Sequence, residues 1–134
     1  MKTTRNFFVS RILPLVLVAV MALLVVSCGT QTGPEAADEK TFTFEAFDLD
    51  GTKLFGGEIT TSATTVGEAL LEEGLVTGED GPYGLYVQSV CGVVADYNTD
   101  TTYWSFLIGG EYAMTGVDKT EISDGETYSL VRTK

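Results

Sequence analysis

Between Ile12 and Val26 the chain carries no charged or hydrogen-bonding side chain, and the run stops at Ser27-Cys28-Gly29. A segment that is apolar on every side cannot lie on the surface of a small domain. At about 15 residues it is also shorter than the ~20 that a bilayer-spanning helix needs. Lys2, Arg5 and Arg11 flank its start, and no acidic residue occurs before Glu35. A basic start followed by a short apolar run is the pattern of a secretory signal. Residues 1–27 are therefore expected to be removed, and the folded part is expected to begin beyond Cys28.

Leu24-Val25-Val26-Ser27 directly before Cys28 resembles the lipobox of bacterial lipoproteins, with Val25 where Leu is usual. The resemblance implies that the Cys28 thiol carries a diacylglycerol and that cleavage before it frees an amine for further acylation. Two or three acyl chains, at ~0.8 kcal/mol per buried CH2, hold a protein far more firmly than one. The expected location is extracytoplasmic, with the membrane as a partner through the lipid anchor. Residues 28–40 then read as the lipidated cysteine and a flexible tether, since GTQTGPEAADEK lacks large apolar side chains.

Loss of the leader makes the chain more acidic. Three of its eight basic residues and none of its nineteen acidic ones lie before Cys28, so the net charge moves from −11 to −14. Such a surface repels phosphate backbones, which excludes nucleic acid as a partner. The remaining residues, 41–134, suffice for one hydrophobic core and not for two. With Cys28 lipidated, Cys91 has no partner, so no disulfide framework supports the domain. The valines around Cys91 suggest a buried, inert thiol.

Thr41 to Phe47 alternates with period two, and Asp50-Gly51 supplies a hairpin turn into a second strand from Thr52 to Thr61. Gly56-Gly57 suggests a bulge in that strand. Thr65-Val66-Gly67-Glu68 fits a capping box, and Val66, Ala69 and Leu70 fall on one helical face. Gly74 is a suitable helix stop, with Leu75 packing back. A loop containing Gly78, Gly81 and Pro82 is expected next. Strands follow at Leu85–Val94, Tyr103–Ile108 and Thr127–Val131, with turns at Gly109-Gly110 and Ser123-Asp124-Gly125. This order predicts an α+β fold, a β-grasp-like mixed sheet with one short helix packed across it.

Several chemistries are absent from the residues. There is no histidine, which removes the commonest general base and metal ligand. No glycine-rich loop joins a strand to a helix as a phosphate cradle would require. Asp48-x-Asp50-Gly51 has Ile59 where a calcium loop needs a bidentate Glu, so it reads as a hairpin turn. Glu72-Glu73 and Glu79-Asp80 could form a carboxylate pair for acid–base work, but such pairs are common on solvated faces. No catalytic residue, metal site or required cofactor is expected. What stands out is the set Tyr83, Tyr86, Tyr97, Tyr103, Trp104 and Tyr112. Alternation puts Trp104, Phe106 and Ile108 on one face of their strand and Tyr103, Ser105 and Leu107 on the other.

Gly84-Leu85-Tyr86-Val87-Gln88-Ser89-Val90, Tyr103-Trp104-Ser105-Phe106-Leu107 with Gly109-Gly110, Gly116-Val117 and Asp124-Gly125-Glu126-Thr127 occur in that order. They resemble the C-terminal β-domain of transcobalamin and intrinsic factor. With Val66-x-x-Ala69-Leu70 they are similar to a family of bacterial transcobalamin-like C-terminal domains (DUF4430-type). In the cobalamin carriers this domain covers the corrinoid, with a large helical domain on the other side. The resemblance implies cobalamin or another corrinoid as ligand, contacted by Trp104, Ser105, Phe106 and Leu107, with Ser89 and Val90 on a neighbouring strand. The expected function is a surface-anchored, non-enzymatic binding lipoprotein. The alternative is an adhesion or protein-interaction module acting with an extracellular polymer or a membrane transporter component.

Overall fold

The alternation that begins at Thr41 becomes strand β1 (Lys40–Phe47) in the computed structural model, which describes residues 38–134. The apolar run, Cys28 and nearly all of the tether lie outside the described residues. Along β1 the pleat turns Phe42, Phe44 and Ala46 inward, each no more than 1% exposed. A turn over Asp48 to Thr52 leads to β2 (Lys53–Thr61), with Gly51 at φ +85° and the Thr52 amide bonded to Asp50 Oδ1 at 2.9 Å. The two strands pair antiparallel.

The capping box forms as the sequence predicts and starts α1 (Val66–Glu72). The Glu68 amide donates to Thr65 Oγ1 at 3.2 Å, and the Thr65 amide donates back to Glu68 Oε2 at 3.2 Å. Val66, Ala69 and Leu70 are fully buried in the same core as Phe42, Phe44, Tyr128 and Leu130. Burial of each large apolar side chain is worth about 1.5–3 kcal/mol, so this stripe fixes the helix on the sheet. Gly74, at φ +68°, closes the helix, and the Leu75 amide bonds the Leu70 carbonyl at 2.9 Å.

The chain continues through β3 (Val76–Gly81), β4 (Gly84–Val90), β5 (Val93–Val94), α2 (Tyr97–Asp100), β6 (Tyr103–Ile108), β7 (Glu111–Tyr112), a 3-10 turn (Val117–Lys119) and β8 (Thr127–Thr133). Five strands form one sheet in the order β2-β1-β8-β6-β7. The neighbouring strands β1 and β8 run parallel, and every other pair in the sheet is antiparallel. The protein is α+β, with the mixed sheet and crossing helix expected of the sequence. It differs from expectation in having a second, three-stranded sheet, β3-β4-β5, and a second short helix.

Each difference has a local cause. The stretch expected as a loop around Gly78 is β3, and glycine is there because the strands approach closely. A Cβ at Gly78 would collide with the Tyr86 carbonyl. The expected strand Leu85–Val94 breaks at Cys91-Gly92, which have φ +50° and +79° and leave Val90 paired with Val93. Two consecutive left-handed residues make the tight primed turn that suits a hairpin. Helix α2 has no sequence signature, because four residues show no apolar period. Its start is capped by Asp96, whose carboxylate accepts from the Asn98 amide at 3.0 Å. The bulge expected at Gly56-Gly57 sits instead between Ala46 and Phe47, while Gly56 and Gly57 pair regularly with Glu45 and Phe44. Gly56 leaves room for the Lys53 side chain, which reaches Glu45 at 2.8 Å.

Candidate functional site

The register of β6 fixes which face each of its side chains takes. Phe106 lies opposite Leu130, Ile108 opposite Tyr128 and Trp104 opposite Arg132. Cross-strand partners share a face, so Trp104, Phe106 and Ile108 turn toward the core. Phe106 stacks on Tyr128 with ring centroids 6.0 Å apart. The Tyr128 hydroxyl accepts from the Ser123 amide at 2.9 Å, which holds that ring and, through it, Phe106. Tyr103, Ser105 and Leu107 take the opposite face. Tyr103 is 38% exposed and Ser105 only 7%, while Leu107 is half-buried. The contact surface offered by that face is therefore narrower than strand alternation alone implies.

The edge of β6 is the more informative feature. One edge is occupied by β8 from Tyr103 to Ile108, whereas β7 pairs only with Leu107 and Ile108 on the other. The Ala113 amide donates to the Phe106 carbonyl at 2.9 Å, so the Phe106 backbone points away from β8. Backbone direction alternates along an antiparallel strand, and Trp104 therefore aims its N–H and C=O at the same free edge. Among the described residues no strand pairs with β6 there from Tyr103 to Ser105.

Beside this edge runs β4, and between the two strands lies a cleft of about 130 Å³. Leu85, Tyr86 and Val87 form one wall and Tyr103, Trp104 and Phe106 the other, with Gly116 and Val117 also lining it. The 3-10 turn braces the β4 wall: a Cβ on Gly84 would come within 2.6 Å of Asp118 Oδ2, at a φ of +104°. Trp104 Nε1 and Asp118 Oδ1 are both buried without a hydrogen-bond partner. A buried orphan of this kind costs about 1–3 kcal/mol, so two beside one cleft mark a place where packing has been compromised.

The six residues named from the sequence separate in space. Trp104 and Phe106 line the cleft. Ser105 and Leu107 sit on the far face of β6. Val90 is completely buried and offers no surface to a ligand. Ser89 lies on the second sheet beside Thr77, the two hydroxyls 2.6 Å apart, and does not line this cleft. Tyr86 stands in the aromatic set of the sequence, and Leu85, Val87 and Val117 join it here from the stretches Gly84–Val90 and Gly116-Val117 that carry the family resemblance.

The remaining candidates resolve into structure. Asp48 and Asp50 serve the β1–β2 turn, Asp48 also accepting from Arg132 at 3.2 Å. Glu72, Glu73, Glu79 and Asp80 are all exposed. Among the described residues no three of His, Cys, Asp and Glu group closely enough to hold a metal ion. Cys91 is a free thiol, half-buried at its left-handed turn rather than in the core, and partial burial pushes its pKa up. The full burial expected of this thiol is not found, because the left-handed turn at Cys91-Gly92 lifts it to the edge of the core.

A family model described as Domain of unknown function (DUF4430) matches residues 63–127, which span α1 to the start of β8 and include both walls of the cleft. A protein from Ruminococcus gnavus to which metal binding has been ascribed is 35% identical, with a TM-score of 0.66 over 71% of this chain and 97% of that one. Haptocorrin in complex with Cbi is 20% identical, with a TM-score of 0.59 over 80% of this chain, and the match spans only 28% of haptocorrin. That second likeness is one of fold. No curated protein matches the chain.

Proposed function

The chain belongs to the DUF4430 family, and on that premise we propose that it is a non-enzymatic binding protein whose ligand docks at the seam between β4 and β6. The observation that carries this reading is the unpaired backbone edge of β6 beside an apolar cleft. An open edge offers N–H and C=O groups to a ligand's amides, while Leu85, Val87, Trp104 and Phe106 offer apolar contact. Few polar groups in an apolar setting is the usual composition of a ligand site.

The ligand we propose is a corrinoid, cobalamin or a relative of it. Support comes from the fold shared with haptocorrin, which is described bound to Cbi (cobinamide), and from the chemistry of the seam. A corrin ring carries amide side chains around an apolar plane. Size constrains the mode of binding. Sites that enclose a small molecule measure about 300–1,000 Å³, so a cleft of about 130 Å³ takes one projecting group and leaves the ring on the surface. The domain then supplies one wall, and micromolar or weaker affinity is expected until a second wall is added.

Anchoring through Cys28 would place this half-site at the outer face of a membrane, where a neighbouring membrane protein can supply that second wall. Fractionation of cells expressing the full chain tests the anchor: Cys28→Ala should move the protein from the membrane to the soluble fraction. Retention of the variant in the membrane would overturn the lipoprotein reading.

Calorimetric titration of residues 37–134 with cobinamide tests the ligand. Saturable heat is expected, weakened at least tenfold by Val87→Glu, which puts a charge on one cleft wall. Absence of heat at high micromolar cobinamide would remove the corrinoid reading. The free edge also suits an extended peptide adding a strand to β6, and Met114 and Tyr83, both more than 95% exposed, stand within two residues of cleft-lining Gly116 and Leu85. In that case a partner protein, and no small molecule, would protect the Trp104 amide, which faces the open edge, from exchange.

A further inference from the structure

Apart from the seam cleft, the domain carries a basin of about 460 Å³ formed by the second sheet and the start of α2. Its lining includes Thr77, Tyr86, Gln88, Ser89, Asp96 and Asn98. We propose that this basin is a second binding site, for a neutral saccharide, because it sets an exposed tyrosine ring among hydroxyl, amide and carboxylate groups with no cation.

The strand register creates this polar row. Thr77 pairs with Ser89, but the next residue, Gly78, pairs with Val87. Gln88 is the extra residue of a bulge, and a bulge re-aims the side chains beside it. As a result Gln88 and Ser89, adjacent in sequence, both reach the basin, whereas Val87 and Val90 pack against the core. Ser89 and Thr77 hydrogen-bond to each other at 2.6 Å. One hydroxyl hydrogen is used in that bond, so the pair keeps one donor and spare lone pairs for a ligand. Across the basin, Asp96 is held by the Asn98 amide at 3.0 Å and by the Thr99 hydroxyl at 2.7 Å. Its carboxylate is fixed in place, and each oxygen keeps a further acceptor site.

Elimination identifies the ligand class. No lysine or arginine lines the basin, and the domain is strongly acidic, so an anionic ligand meets only repulsion. A single carboxylate does not make a metal site. Its apolar lining is limited to Tyr86, Val94 and Ala95, too little to bury an acyl chain. What matches is a neutral molecule dense in hydroxyls, with planar amides and a carboxylate bridging adjacent hydroxyls. Its C–H face would rest on Tyr86, which is 49% exposed. The volume lies within the ~300–1,000 Å³ range of small-molecule sites.

The test is saturation-transfer NMR on residues 37–134 with cellobiose, maltose and N,N′-diacetylchitobiose at about 10 mM each, suited to Kd values near ~1 mM. At least one of the three should receive saturation. Asn98→Ala, an exposed substitution on α2, and the double variant Gln88→Ala/Asn98→Ala should reduce the signal at least fivefold. Trp104 emission and the calorimetric response to cobinamide should stay unchanged, which separates this basin from the seam. No transfer to any of the three sugars, or transfer undiminished in a folded Asn98→Ala protein, would overturn the proposal.

Discussion

Arg132 donates to Asp48 at 3.2 Å, to Asp100 at 2.7 Å and to the Thr102 hydroxyl at 3.1 Å, and so ties the end of β1 and the end of α2 to β8. Asp100 is held below the usual carboxylate range, first by hydrogen bonds from the Thr102 hydroxyl and amide and then by Arg132. Asp50 is lowered in the same direction by the Thr52 amide and hydroxyl. A carboxyl whose folded pKa is depressed contributes stability that is fully present above its unfolded value, near ~3.9, and lost as pH falls through the folded value. The thermal midpoint is therefore expected to be flat above about pH 5 and to fall below about pH 4, with Asp100→Asn showing a shallower acid limb. An unchanged acid limb in that variant would detach Asp100 from the pH dependence. The contacts of Arg132 were not legible in the sequence, because its partners lie 30, 32 and 84 positions away. Trp104 was legible as an aromatic landmark, but not as a buried indole 8% exposed. Its emission should accordingly be blue-shifted relative to free tryptophan.

At the scale of elements, what could be read was whatever depends on local period and local caps. The strand β1, the turn after it and the capping box of α1 all follow from neighbours within four residues. Thr65→Ala should cost about 1 kcal/mol in a denaturant melt, the usual value of an N-cap. The second sheet was not legible, since its strands are short, glycine-bearing and interrupted by a bulge that breaks the alternation. Gly78 reads as loop composition, yet it lies in β3 where the Tyr86 carbonyl leaves no room for a Cβ. Gly78→Ala should destabilise the domain by about 1–3 kcal/mol, as overpacking does, and speed amide exchange in β3 and β4 more than in β1. A substitution without effect would mean that this crossing has slack. The seam shows the same limit. Both walls lie in stretches that carry the family motif, but that Leu85–Val87 faces the edge of β6 depends on where a second sheet sits.

For the molecule as a whole, composition and fold answer different questions. Nineteen acidic residues and no histidine weigh against nucleic acid and the commonest catalytic chemistries without any coordinates. They do not say what binds. The arrangement of two sheets does more, because it leaves an uncovered strand edge beside an apolar cleft too small to enclose a ligand. A neutral corrinoid held at such a seam is bound by apolar contact and backbone groups, so its affinity should change little between low salt and about 0.5 M salt, where surface charges are screened. The central claim is one of place, and amide chemical shifts read place directly. Titration of 15N-labelled residues 37–134 with cobinamide should move the amides of Leu85–Val87 and Tyr103–Phe106 first and most. Shifts confined to other surfaces, or no shifts at millimolar cobinamide, would contradict the account.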